Sequence, residues 1–256
     1  MDMIMGGVLH GASRLLLLSQ LVLSKQCRGV SLITSELYLI MYVCRYLDLL
    51  YLYVSFSNTM IKLLHLGIAL SIVLLMRYSP ASSTYEGDLD TFSRTILLTP
   101  CFLLAFLYHK VALFMEICHT SSEYLEAVVL IPQFVMMYKR KAYDTWLVVY
   151  VMLAGGEHMV QSISMAAGWR DALKEDPYRL ISSGIQAIVV VVGLLVLLIQ
   201  RIQLRSEAGA NEREEKPAFD EVWEASKFNF SESELGEHSH NSLGSGGSRP
   251  VSVYVQ

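Results

Sequence analysis

Apolar runs long enough to cross a bilayer, which takes about 20 residues, recur along most of this chain and limit its fold more than any other feature. They lie near residues 6 to 24, 30 to 53, 57 to 76, 95 to 109, 112 to 137, 144 to 168 and 179 to 201. Seven transmembrane helices is the simplest count, so the sequence predicts an all-α bundle. The fourth run is the shortest, interrupted by Pro100 and closed by His109-Lys110, whereas the last is almost wholly Val, Leu and Ile from Ile185 to Ile199. Composition agrees, since 17% of residues are charged against about 25% in a soluble domain. The stretch Leu15 to Leu23 lacks a basic n-region and a clear small-residue cleavage site, so it is predicted to stay as the first helix. Cys27, Cys44, Cys101 and Cys118 form no CxxC pair and no zinc-like spacing, and read as reduced packing residues.

The net charge of −4 hides an asymmetry. From Ser206 onward there are ten acidic and four basic residues, leaving a slightly basic body of fourteen acidic and sixteen basic residues. The body, residues 1–205, is the predicted transmembrane domain, and the Ser-, Gly- and Glu-rich segment 206–256 cannot bury enough apolar surface to offset its chain entropy, so a disordered acidic tail is expected. Lys25, Arg28, Arg77, Arg94, Lys139, Arg140, Lys141, Arg201 and Arg205 fall on one side of the predicted bundle, and Lys110, Arg170, Lys174 and Arg179 on the other. The positive-inside bias makes the first group cytosolic, which places the N-terminus in the lumen and the tail in the cytosol. Asn229-Phe230-Ser231 matches a glycosylation sequon, but a cytosolic tail never meets the transferase.

Ionisable groups at bilayer depth cost at least ~2.5 kcal/mol each on insertion scales and mark functional interiors. Arg45 and Asp48, three apart in the second run, are expected to share a helical face and pair. In the fifth run Glu116, His119, Glu123 and Glu126 form one polar stripe that should face a cavity, with Glu123 and Glu126 assigned to that cavity. Glu157, His158 and Gln161 make a smaller cluster beside Gly155-Gly156 in the sixth run. His10 and Arg14 are four apart in the first, and Arg14 is read as snorkelling to the headgroups. Pro132 should kink the fifth helix. The Pro132-Gln133 pair resembles that of the PQ-loop and SWEET superfold, which is built from triple-helix repeats.

A longer set of residues resembles the KDEL-receptor family. Gly29-Val30-Ser31 leads into Arg45-Tyr46-Leu47-Asp48-Leu49. In the same order follow Ser57-Asn58-Thr59-Met60-Ile61-Lys62, Thr84-Tyr85-Glu86-Gly87-Asp88 with Asp90-Thr91-Phe92, Glu116-Ile117, Glu123-Tyr124-Leu125-Glu126-Ala127 and Ile131-Pro132-Gln133-Phe134. The resemblance is good from Gly29 to Lys139, and hydropathy alone carries it further. It implies a receptor of the endoplasmic reticulum and Golgi membranes whose luminal cavity binds the last four residues of a client at acidic pH and releases them at neutral pH. By that resemblance Arg45, beside Tyr46, would bind the client's C-terminal carboxylate, Asp48 would orient it, and Glu116 and Glu126 would complete the ligand site. His10 would sense protons, with His119 as a second titrating group.

Departures accompany the resemblance. The family's Tyr-Arg pair on the sixth helix falls on Gly156 and Glu157, its N-terminal arginine on Met3, and the tryptophan after the acid of the fifth helix on His119, while Glu123 is an extra acid. The cavity tilts from positive to negative, against an acidic client tail. The C-terminus lacks the family's lysine-rich sorting motif, so its serine-rich extension points to different or phosphorylation-controlled recruitment of vesicle coat machinery.

Partners expected from this reading are C-terminal retention signals of luminal proteins, the coat machinery and membrane lipid, with no nucleic acid and no cofactor. Two alternatives stay open. One is a proton-coupled transporter of a small cationic solute within the same superfold, and the other is a pseudo-receptor that has lost ligand binding. An enzyme is not expected, because HExxH, Ser-His-Asp and CxxC patterns are all missing from the sequence.

Overall fold

The computed structural model describes residues 2–50, 55–109, 113–142, 144–168, 180–207 and 209, without the side chains of residues 2–10, 50, 157, 158, 161 and 165. The described residues are all-helical, with no strand among them. The helices are α1 (Asp2–Ser24), α2 (Leu32–Arg45), α3 (Phe56–Tyr78), α4 (Arg94–Leu107), α5 (Phe114–Val128), α6 (Ile131–Arg140), α7 (Thr145–Ala167) and α8 (Leu180–Glu207). Short 3-10 turns occupy Leu47–Leu50 and Pro80–Thr84. Residues Met1–Arg201 form one compact unit, and the expected tail falls almost wholly outside the described residues.

Two of the predicted runs break where backbone chemistry requires it. The fifth divides into α5 and α6 around Val129 and Leu130. Pro132 has no N–H, so the Val128 carbonyl loses the partner four residues on, and the helical ladder stops for about one turn. The second run ends at Arg45 and tightens into the 3-10 turn Leu47–Leu50.

α1 packs on α3 and α7, α2 packs on α3, α5 and α6, and α4 packs on α5. Tyr38, Tyr42, Met41 and Leu37 of α2 are buried at the centre with Leu17, Ile72, Met76, Leu125 and Tyr150. α8 joins through close contacts. A Cβ at Gly193 would stand 2.6 Å from the Phe134 ring and one at Gly155 2.7 Å from Val190, so small residues set both distances. α3 and α8 are long and apolar enough to cross a membrane, and Leu63, Leu64, Leu70 and Leu74 of α3 with Ile188, Val192, Leu195 and Ile199 of α8 point outward, exposed. Such apolar outer faces suit lipid tails rather than water.

At one end of the bundle the resemblance motifs converge. Ser31 caps α2, its Oγ accepting the Thr34 N–H at 3.0 Å and donating to the Asp90 carboxylate at 2.9 Å. Asp90 also accepts the Tyr85 hydroxyl at 2.6 Å and the Ile33 N–H at 3.2 Å. Gln133 is fully buried, accepting the Ser31 N–H at 2.9 Å and donating to the Gly29 carbonyl at 2.8 Å. Gly29 has φ +76, and a Cβ there would collide with Arg140 and lie 2.8 Å from Leu147. These bonds satisfy polar groups that would otherwise be costly to bury. Burial, and then the bond to Asp90, push the Tyr85 hydroxyl well above the usual phenol range, so it remains a donor. Glu36 adds a second tie, accepting Arg77 Nε at 3.0 Å and Arg94 Nη1 at 2.5 Å, which holds together the start of α2, the end of α3 and the start of α4.

Candidate functional site

Arg45, the last residue of α2, aims its guanidinium at α5. Nη2 meets Glu126 Oε2 at 2.5 Å and Nε donates to Ser122 Oγ at 3.3 Å. The expected Arg45–Asp48 pair does not form. A continuous helix would have put both on one face, but α2 stops at Arg45, and the 3-10 turn carries Asp48 to Lys62 of α3 instead. Tyr46 caps α2, stacks on Tyr42 with ring centroids 5.7 Å apart and has the Lys62 ammonium 5.8 Å from its ring.

A cavity of about 130 Å³ lies beside this pair, lined by Arg45, His119, Glu123 and Glu126 on one side and Ser182, Ser183 and Gln186 of α8 on the other. It has room for several water molecules. α8 is fastened to α5 at the cavity, Ser182 Oγ donating to the Glu123 carbonyl at 2.6 Å and Gln186 Nε2 to the Glu126 carbonyl at 3.2 Å. The latter is one of the carbonyls left over where the α5 ladder ends. His119 Nδ1 stands 4.0 Å from Glu123 Oε1, with the histidine half-exposed and the carboxylate largely covered. The lining therefore offers one guanidinium, two carboxylates, a histidine, two hydroxyls and an amide. Such a set presents donors and acceptors for charge-assisted hydrogen bonds to a polar group.

Glu116, in the first turn of α5, is half-buried and outside the cavity lining. Gly156 lies on α7, and a Cβ there would meet open space. The side chains of His10, Glu157, His158 and Gln161 lie outside the described residues. Arg14 does not snorkel. It is buried at 2% exposure, its guanidinium 3.2 Å above the Tyr38 ring, with Nη1 donating to the Tyr150 hydroxyl at 3.1 Å. Position fourteen lies mid-helix in α1, too far along for the charge to reach headgroups, and stacking on tyrosine compensates part of its desolvation. The reading from sequence also missed Ser182, Ser183 and Gln186. Their signal is a polar patch, with Ser182 and Gln186 at i and i+4, opening an otherwise aliphatic run.

Residues 26–166 match the family model for the ER lumen protein retaining receptor, more than half of the chain. The chain belongs to this family. Relatives within it include ER lumen protein-retaining receptor B of Arabidopsis thaliana, 45% identical over 152 residues that cover 59% of this chain and 71% of the relative. An ER lumen protein-retaining receptor of Petunia hybrida is 41% identical over 151 residues, 59% of this chain and 70% of its own. ER lumen protein-retaining receptor 2 of Danio rerio is 35% identical over 150 residues, with the same coverage of 59% and 70%. In this retaining-receptor chain the family match includes Arg45, Asp48, His119, Glu126 and Glu157, while His10 and the α8 wall of the cavity fall outside it.

Proposed function

We propose that this chain is a seven-span receptor of the endoplasmic reticulum and Golgi membranes that binds C-terminal retention signals and returns their bearers from Golgi to endoplasmic reticulum. The observation that carries the reading is Arg45, a guanidinium held at a polar cavity between α2, α5 and α8. A chain-terminal carboxylate is the partner its fork suits. Arg45 is engaged by Glu126, so an incoming carboxylate has to take that carboxylate's place. A carboxylate neutralised by acid holds a guanidinium less tightly than an ionised one, so acid favours the exchange and neutrality reverses it. The termini follow the charge bias, N-terminus luminal and tail cytosolic, with the tail recruiting coat machinery.

The size and charge of the cavity favour a second reading. At about 130 Å³ and with Glu123 added to Glu126, it suits a small cationic solute exchanged with protons, as in a transporter with PQ-loop-type repeats. Pull-down with peptides ending in KDEL or HDEL, at acidic and at neutral pH, separates the two. Retention at acidic pH that Arg45→Ala abolishes is expected. No retention at either pH, together with proton-coupled uptake of a cation into vesicles, would decide for the transporter. Glu157→Arg is expected to strengthen binding of acidic-ended peptides.

A further inference from the structure

Away from Arg45, a second cavity of about 320 Å³ opens between α6, α7 and α8. Its floor is apolar and buried, made by Met137, Val151 and Leu197, and its outer wall by the exposed Met152 and Leu198. The size is at the lower end of small-molecule sites, roughly 300–1,000 Å³. The single charge in its lining is Arg201, which follows Leu194, Leu197 and Leu198 on one stripe of α8, so its side chain leans back over the turn that forms the wall.

Arg201 is exposed and makes no ion pair among the described residues. The basic residues ending α6 are engaged elsewhere, Arg140 with Glu86 at 3.2 Å and Asp144 at 3.3 Å, and Lys139 with the Thr91 hydroxyl. A hydrocarbon slot with a guanidinium at its rim that no described residue pairs matches an amphiphile with an anionic head. The positive-inside bias puts Arg201 at the cytosolic leaflet, where anionic lipids concentrate. We infer that this cavity is a binding site for an anionic phospholipid, with an acyl chain against Met137, Val151 and Leu197 and the phosphate on the Arg201 guanidinium. The fork geometry of arginine suits phosphate oxygens.

The test uses the full chain in a neutral detergent. Phosphatidylserine, phosphatidylcholine with the same acyl chains, or inorganic phosphate is added, and bound lipid is read by native mass spectrometry with the melting temperature alongside. Phosphatidylserine is expected to be retained about fivefold better than phosphatidylcholine, the effect of one cation on one anionic head. Arg201→Gln should remove that preference while leaving the lipid-free melting temperature unchanged. Leu198→Trp, on the exposed wall where bulk does not disturb the floor, should displace both lipids. Equal retention of the two lipids by the wild type, a preference surviving Arg201→Gln, undiminished binding to Leu198→Trp, or full stabilisation by inorganic phosphate alone would each overturn the assignment.

Discussion

At the scale of single residues, the Arg45–Glu126 pair is what an incoming carboxylate would have to displace under the proposed function. Removing the negative charge from Glu126 while keeping its shape leaves Arg45 available, so Glu126→Gln should raise the affinity of a KDEL-ended peptide at neutral pH by roughly tenfold. Isothermal titration at two pH values reads this, and an unchanged neutral-pH affinity would show that Glu126 does not compete for the site. The arginine and both acids were legible in the sequence because charge in an apolar run is conspicuous. Their pairing was not, because it depends on where α2 ends, and Arg45 to Asp48 looked like one more helical turn. Cys27 lies in the connection between α1 and α2, fully buried, and burial pushes its thiol from 9.0 up to about 11. In a variant keeping only this cysteine, N-ethylmaleimide at pH near 8 should label it only after denaturation. The sign follows from the raised value. The stability contribution is intact below pH 9.0 and lost as pH rises toward about 11, because the unfolded thiol ionises first.

At the scale of elements, the joint at the α2 N-terminus draws together three of the stretches that carry the resemblance. Asp90 and Gln133 are far in sequence from the Gly29–Ser31 turn yet belong with it to one hydrogen-bonded knot. Asp90→Ala leaves the Ser31 and Tyr85 hydroxyls without their acceptor and should destabilise the protein by about 1–3 kcal/mol without changing which peptide it prefers. Thermal unfolding with and without peptide separates those two effects, and an unaltered melting temperature would mean that the knot is dispensable. The Pro-Gln pair was visible from sequence as a kink. What the glutamine does was not, since nothing in a linear reading says that its amide spans Ser31 and Gly29. Glu36 went unnoticed for a related reason, because its two arginines come from helices whose ends meet only in three dimensions.

At the scale of the whole molecule, most helical segments were readable from hydropathy, because lipid-facing leucines advertise a span however the bundle closes. The wall that α8 gives the cavity was hidden, since its serines and glutamine become significant only beside the unfinished end of α5. The proposed topology makes a prediction about the tail. Asn229 should remain unglycosylated when the chain is expressed in cells, so endoglycosidase treatment should cause no gel shift, and a shift would place the tail in the lumen. The gap between α5 and α6 bears on how the two halves are held. α6 is anchored by Gln133 to the start of α2 and by the bond from Gln200 to the Tyr138 carbonyl, whereas α5 carries the acids beside Arg45. Each half is braced separately against the same two neighbours, α5 by Arg45, Ser182 and Gln186 and α6 by Gln133 and Gln200, so the break in the ladder leaves neither half unsupported.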